Sequence, residues 1–182
     1  MALKATIFKA ELTVSDLDRN HFATHALTIA RHPSETDERM MVRVLAFAMH
    51  ADERLAFGRG LSSEGEADLV LTDLTGAIDL WIDVGLPEER EIRKACGRAR
   101  RVAVFIYGTG ASLWWKQNAP LLEKQRNLTV VGLPVEATRA LAARAARNMT
   151  LQCTLQDGHL WLADAGESLA IEPEILQRPE GA

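Results

Sequence analysis

The chain has 182 residues, 47% of them hydrophobic and 25% charged, a composition typical of one globular domain with an apolar core. Its 21 Lys and Arg residues against 25 Asp and Glu residues give a net charge of −4. That charge excludes a protein that coats nucleic acid over its whole surface but allows a local basic patch. Cys96 and Cys153 form no metal-binding motif, and no apolar run approaches the roughly 20 residues of a membrane span. We expect a cytoplasmic, single-domain protein over residues 1–182 with reduced thiols.

The first half of the chain combines alternating apolar segments with one helical pattern. Residues 3–15 and 21–31 read as two strands around a polar turn, which predicts an N-terminal hairpin. Ser34 is a candidate helix N-cap with Asp37 three residues later, and the following apolar stripe predicts a helix to about Leu55. The other predicted elements are a short strand over 55–61, a polar turn over 62–66, and a meander of strands over 67–72 and 77–84.

Helical and apolar segments alternate in the second half and are followed by a hairpin signal. Pro87 opens a basic helix that is predicted to run to about Arg100. Asp157-Gly158 separates two alternating segments, which predicts a C-terminal hairpin. The remaining predictions are a buried strand over 101–107, a helix over 111–124, a strand over 128–132, a helix over 134–148, hairpin strands over 149–155 and 159–163, a strand over 168–172, and a loose tail from 174. Together these elements predict one α+β domain.

The predicted strand over 77–84 carries two acids, which is unusual for a strand that otherwise reads as core. Buried carboxylates are costly unless they are paired, hydrogen-bonded or bound to a cation. Asp68 begins the preceding strand, so antiparallel pairing would bring it beside Asp83, which ends this one. Asp79 lies roughly 13 Å from Asp83 along a straight strand. We therefore predict a Mg²⁺ site that contains Asp68 and Asp83, with Asp79 as a supporting or alternative ligand. The competing interpretation is that all three are solvated acids of turns and edges.

A basic helix follows this strand. Residues 90–101 hold six basic residues against one acid. Four of the six recur at helical spacing and form one stripe: Arg90, Lys94, Arg98 and Arg101. Beside acidic metal ligands such a stripe suits a phosphate backbone, so Arg90, Arg98 and Arg101 are candidate substrate-binding residues. The alternative is an ordinary solvated helix face.

Several long motifs carry a resemblance to a known family. They are RHPSETDERMM at 31–41, IDLWIDVGLP at 78–87, RKAC at 93–96, MTLQ at 149–152, QDG at 156–158 and WL at 161–162. On these motifs the chain resembles the YaeQ family over essentially its whole length. The resemblance implies a variant of the PD-(D/E)XK nuclease fold, a restriction-endonuclease-like mixed sheet flanked by helices, here with extra N- and C-terminal hairpins. Family members are small bacterial proteins that are sometimes linked to transcription elongation.

The resemblance also implies a set of acidic site residues. In the nuclease core a helix supplies one acid and a meander supplies two more. Glu38 would match the helix acid, with Glu35 as the less favoured choice. Asp68 and Asp83 would match the acids of the meander. Glu38, Asp68 and Asp83 would then hold Mg²⁺, or Mn²⁺ in its place.

The sequence departs from the nuclease pattern at the lysine that should follow the second acid. Gly85 stands two residues after Asp83, and Ala67 replaces the proline before Asp68. Lys94, on the following helix, is the natural substitute for the missing lysine. The expected function is Mg²⁺-dependent cleavage of phosphodiester bonds in nucleic acid, with Lys94 assisting the metal-bound acids. The alternative is a non-catalytic module of the same fold with a regulatory binding role.

Overall fold

The structure, a computed structural model, describes residues 4–60 and 65–182. Within these residues two mixed sheets pack with four helices, so the α+β class is confirmed. The strands are β1 (Thr6–Asp16), β2 (His21–Arg31), β3 (Leu55–Phe57), β4 (Leu69–Thr72), β5 (Ile78–Val84), β6 (Ala99–Ile106), β7 (Leu128–Gly132), β8 (Asn148–Gln156), β9 (His159–Asp164), β10 (Glu167–Ile171) and β11 (Glu174–Gln177). The helices are α1 (Asp37–Met49), α2 (Glu89–Arg98), α3 (Ala111–Leu122) and α4 (Val135–Ala142). No helix among the described residues has the length and apolar character needed to cross a membrane.

The two ends of the chain meet in one sheet, the terminal sheet, with strand order β10-β9-β8-β1-β2. Both predicted hairpins form, and the parallel pairing of β1 with β8 joins them. Asp157 and Gly158 have φ values of 52° and 76° in the β8–β9 turn, as the Asp-Gly signal predicts.

The central sheet, with strand order β11-β7-β6-β5-β4-β3, positions the candidate site. Strands β3, β4 and β5 form the predicted antiparallel meander, and β5, β6 and β7 run parallel. One face of this sheet shares an apolar core with α1 and the terminal sheet, and Leu80 and Ile82 point into that core. The other face packs on α2, with Trp81 beside Ile92 and Ala95. Successive β5 side chains therefore point to opposite layers, as strand geometry requires.

Helix α1 is shorter than its sequence pattern indicates. Thr36, and not Ser34, is the N-cap, because the Thr36 side chain accepts a hydrogen bond from the Arg39 N–H at 3.1 Å. The helix ends at Met49, and the chain then turns into β3 at Leu55.

The boundaries around β5 and α2 also differ from expectation. Helix α2 ends at Arg98, and β6 begins directly at Ala99, so Arg101 lies on a strand and leaves the predicted helical stripe. Strand alternation predicts that Ile78 shares a face with Leu80, but Ile78 packs on the α2 side of the sheet, next to a register shift in the β4–β5 pairing.

The tail from Glu174, which is expected to be loose, forms β11 and pairs antiparallel with β7. Helix α4 ends at Ala142, several residues before the predicted end at about residue 148, and β8 begins at Asn148. Most of the turn predicted over 62–66, the end of the strand predicted over 55–61 and the start of the first predicted strand lie outside the described residues.

Candidate functional site

A cleft of about 450 Å³ opens between the carboxyl end of β5 and α2. Asp68 and Asp83 line it, because the antiparallel pairing of Leu69 with Ile82 sets the two acids side by side. From α2 the basic residues Arg90, Lys94 and Arg98 line it together with Glu91 and Ala95. The cleft therefore brings together five of the side chains singled out in the sequence.

Asp68 is a buried carboxylate, 4% exposed, that is closely surrounded by hydrogen-bond donors. Arg39 Nη2 donates to its Oδ1 at 2.8 Å and to its Oδ2 at 2.9 Å. The Val84 N–H donates to Oδ2 at 2.8 Å. Burial raises the pKa of Asp68, and the Arg39 charge and the Val84 hydrogen bond oppose that rise.

Glu35 holds Arg39 in place from the other side. Arg39 Nη1 donates to Glu35 Oε1 at 2.9 Å. The fully buried Arg43 donates to the same carboxylate through Nε and Nη2, both at 2.8 Å, and also to the Ala30 carbonyl at 2.8 Å. Glu35 thus supports the site through Arg39 and does not line the cleft.

Arg39 and Arg43 of this network were not predicted from the sequence. Glu35, Arg39 and Arg43 recur at a spacing of four, which places them along one side of the start of α1. Arg43 falls within the apolar stretch from Met40 to Ala48, all of which is buried. A charged residue inside such an apolar stretch could have predicted a buried ion pair, because a buried charge requires a partner.

Asp83 differs from Asp68 in its partners. Its carboxyl is partly exposed, and its pKa is raised from 3.8 to about 7 by burial and by the nearby charge of Asp68. The buried indole N–H of Trp81 lies close enough to favour the charged form of Asp83, although no hydrogen bond of standard geometry joins the two groups. Asp83 therefore populates both protonation states near neutral pH, as a proton-transferring group must.

The basic residues of α2 form the exposed rim of the cleft. Lys94 Nζ lies 3.0 Å from Glu91 Oε1, and Arg90 Nε lies 3.4 Å from the same oxygen. The Arg98 guanidinium lies 5.6 Å from the centre of the Trp81 ring and donates to the Gly65 carbonyl at 3.3 Å. Asp68 and Asp83 thus lie at the floor, and the exposed α2 cations lie at the rim with Glu88 and Glu91, which pair with Arg90 and Lys94.

Three predicted site residues lie elsewhere in the structure. Glu38 Oε1 accepts a hydrogen bond from Thr138 Oγ1 of α4 at 2.7 Å, because its position on α1 turns it away from Asp68. Asp79 lies near the opposite end of β5 from Asp83 and accepts a hydrogen bond from Arg101 Nη2 at 2.8 Å. None of the three, Glu38, Asp79 or Arg101, lines the cleft, contrary to the roles expected for Glu38 and Arg101.

The Mg²⁺ that the resemblance implies does not fit the cleft with its side chains arranged in this way. The Asp68 oxygens already accept three hydrogen bonds, and Glu38 is engaged with Thr138. Within residues 4–60 and 65–182, no three His, Cys, Asp or Glu side chains are placed to hold a metal ion. Mg²⁺ requires free hard oxygen ligands in near-octahedral geometry, and Asp83 is the less engaged of the two acids.

Comparisons with known proteins agree over nearly the whole chain. The family model described as "YaeQ protein" matches residues 1–173. YaeQ of Salmonella typhi is 51% identical over 180 residues, which cover 98% of this chain and 99% of the relative. YaeQ of Escherichia coli K12 is 49% identical over 180 residues with the same coverage.

Two crystal structures share the fold. YaeQ from Xanthomonas axonopodis pv. citri superposes with a TM-score of 0.93 at 49% identity, covering 96% of this chain and 99% of that chain. YaeQ from Pseudomonas syringae superposes with a TM-score of 0.92 at 32% identity, covering 97% and 98%. The chain therefore belongs to the YaeQ family.

Proposed function

We propose that this protein is nuclease-like and binds the phosphodiester backbone of nucleic acid in the cleft between β5 and α2. The observation that carries the proposal is the convergence of Arg90, Lys94 and Arg98 at the rim above Asp68 and Asp83. Arginine and lysine side chains supply most contacts to nucleic-acid phosphates, and an exposed rim reaches a backbone without burying charge. The chain as a whole is acidic and three glutamates also line the cleft, so a polyanion would be attracted only to the exposed cations of the rim.

The order of elements around the cleft supports kinship with the PD-(D/E)XK nucleases. Helix α1 is followed by the meander β3–β5, which bears Asp68 and Asp83, and then by α2 and the parallel strand β6. A helix followed by an acid-bearing meander is the pattern of that nuclease core. Lys94 lines the cleft from α2, which is compatible with its role as a substitute for the lysine missing at Gly85.

Hydrolysis of the bound phosphodiester is a second candidate, and Asp83 favours it. A carboxyl with a pKa of about 7 can accept a proton from an attacking water at neutral pH. Lys94 lines the same cleft and carries positive charge that would stabilise a phosphorane-like transition state. The non-catalytic alternative keeps the same cleft for regulatory binding.

Binding is tested by comparing two arginines of the same helix. Arg98 lines the cleft, whereas Arg93 is 61% exposed, pairs with Glu89 and does not line it. Arg98→Ala should weaken binding of labelled DNA and RNA several-fold and reduce the slope of log K against log salt by about one, because one phosphate contact is lost. Arg93→Ala should change neither quantity. Fluorescence anisotropy at several salt concentrations measures both, and equal effects of the two variants would refute the cleft as the binding site.

Cleavage is tested with the same substrates, with and without Mg²⁺ or Mn²⁺. Wild-type protein and Asp83→Ala are purified identically and incubated with single-stranded, duplex and branched DNA and RNA. Cleavage by the wild type alone supports hydrolysis through Asp83, and full activity in Asp83→Ala contradicts that role. Binding without cleavage by either protein favours the regulatory module.

A further inference from the structure

We propose that Arg39 is the built-in cation of the cleft floor: its guanidinium takes the place at Asp68 that a divalent metal ion would take, and makes the cleft metal-independent. The inference goes beyond the proposed function, because it concerns which cation the floor accepts. Its test contains no nucleic acid.

Arg39 reaches across from α1 to cover the coordinating edge of Asp68. Its Nη2 lies 2.8 Å from Oδ1 and 2.9 Å from Oδ2, and also 3.3 Å from the Val84 carbonyl oxygen. These are the oxygens that a metal shared with Asp83 would need. The Arg39 side chain is 16% exposed and lines the cleft, so it stands between Asp68 and solvent.

Arg39 is held in this position and is not a mobile surface side chain. Glu35 accepts from Arg39 Nη1 at 2.9 Å, and its own carboxylate is fixed by two hydrogen bonds from Arg43 at 2.8 Å. The side chains of Glu35 and Arg43 are 0% exposed. A guanidinium anchored to two carboxylates through separate nitrogens has little freedom to leave either of them.

The charges of this cluster explain why a divalent cation is disfavoured. Arg39 and Arg43 balance Glu35 and Asp68, and Asp83 adds one negative charge when ionised. A doubly charged ion added to this set would leave an excess of positive charge in a largely buried site. Replacing Arg39 with a neutral residue leaves two negative charges uncompensated, the number that a divalent cation neutralises. Cation choice at the floor is therefore set by Arg39.

The experiment titrates the protein with Mn²⁺ and with Mg²⁺. Isothermal titration calorimetry measures the metal affinity, and the melting temperature reports stabilisation by the bound metal. Wild-type protein should show no saturable binding in the cleft. Arg39→Met, which keeps an unbranched side chain but removes the charge, should gain one saturable site, on the order of tenfold or more tighter than any non-saturating binding by wild type, and a metal-dependent rise in Tm. Adding Asp83→Asn to Arg39→Met should abolish the gain.

The control is Arg139→Met, which removes an arginine that is 61% exposed on α4. It should behave as wild type, because the overall charge alone does not create a site. If Arg39→Met fails to fold by circular dichroism, Arg39→Gln replaces it. The glutamine amide is neutral and can still donate a hydrogen bond to Asp68, so this variant should also bind Mn²⁺ more tightly than wild type.

Two results would overturn the proposal. One is saturable Mn²⁺ binding by the wild type that Asp83→Asn removes, since Arg39 would then not exclude the ion. The other is a folded Arg39→Met or Arg39→Gln protein with no gain in metal binding. Because no nucleic acid is present, either result leaves the binding test with Arg98→Ala to be judged separately.

Discussion

Asp68 and Asp83 sit at neighbouring strand positions but meet different partners. Asp68 is matched by the Arg39 guanidinium, whereas Asp83 faces the charge of Asp68 in a largely buried setting. Burial and the charge of Asp68 together raise the pKa of Asp83, whereas the charge of Arg39 opposes the rise that burial causes in the pKa of Asp68. Under the proposed function, this difference in partners makes Asp83 the candidate proton acceptor of the cleft.

A pH-dependent stability follows from Asp83. Its pKa is about 7 in the folded protein against an ordinary 3.8, so the folded state binds more protons than the unfolded state between these values. The stabilising contribution is complete below about pH 4 and is lost as the pH rises through about 7. The asparagine side chain of the Asp83→Asn variant does not titrate, so only wild type loses this contribution. The free energy of unfolding of the variant minus that of wild type should therefore increase from pH 5 to pH 8 by up to a few kcal/mol.

Urea unfolding of wild type and Asp83→Asn at both pH values measures this change. The raised pKa of Asp68 is common to both proteins, so comparing them removes most of its contribution. A difference between the two proteins that stays constant with pH would show that Asp83 has no raised pKa.

Individual site residues were predictable where local patterns constrain them. Alternation and antiparallel pairing placed Asp68 beside Asp83, and the helical stripe placed Lys94 and Arg98 at the same cleft. Glu38 was misplaced because helix periodicity identifies a face of α1 but not which neighbouring element that face meets. Thr138, its partner, lies a hundred residues away in the chain.

At the scale of elements, β11 shows how a polar segment becomes a strand. Its backbone pairs with β7 at the edge of the central sheet, and Gln177 Nε2 donates to the Leu122 carbonyl at 2.9 Å. Leu176 packs against the core on the α2 and α3 side. Alternation of buried and exposed residues is weak here, since an edge strand is held mainly by its backbone.

Removal of β11 should therefore uncover the edge of β7. A protein that ends at Pro173 should melt about 5 °C lower, because losing edge hydrogen bonds and the Leu176 contact costs on the order of 2 kcal/mol. Amide exchange in β7 should accelerate. A protein that ends at Arg178 retains β11 and serves as the control, and equal melting temperatures for the two truncations would show that β11 contributes nothing.

At the scale of the whole molecule, one apolar core links the two sheets through α1. Every residue of α1 from Met40 to Ala48 is buried, because the helix lies between the terminal and central sheets. Leu12 and Leu151 of the terminal sheet share this core with Leu80 and Ile82 of the central sheet. Neither sheet has a separate core on the α1 side, which favours a single cooperative unit.

The prediction of a single domain over residues 1–182 can be tested by cooperativity. Trp161 lies on β9 of the terminal sheet, whereas Trp81, Trp114 and Trp115 lie in or against the core on the α2 side of the central sheet. Urea unfolding of wild type and of Trp161→Phe is measured by fluorescence and by circular dichroism. In each protein the two probes should give the same transition midpoint. Separate midpoints for the two probes would indicate two independently stable units.

Residue order alone was enough to establish the family, the α+β class, the meander and the pairing of Asp68 with Asp83. The family follows from the resemblance of long motifs. The other three features depend on local alternation and on strands that neighbour each other in the chain, so short-range patterns contain them. Short-range patterns could not predict which cation pairs with Asp68. Arg39 comes 29 residues before Asp68 on another element, and their contact depends on how α1 packs across the central sheet. The chemistry of the cleft floor is therefore a consequence of packing, because a buried charge takes the partner that the fold brings to it.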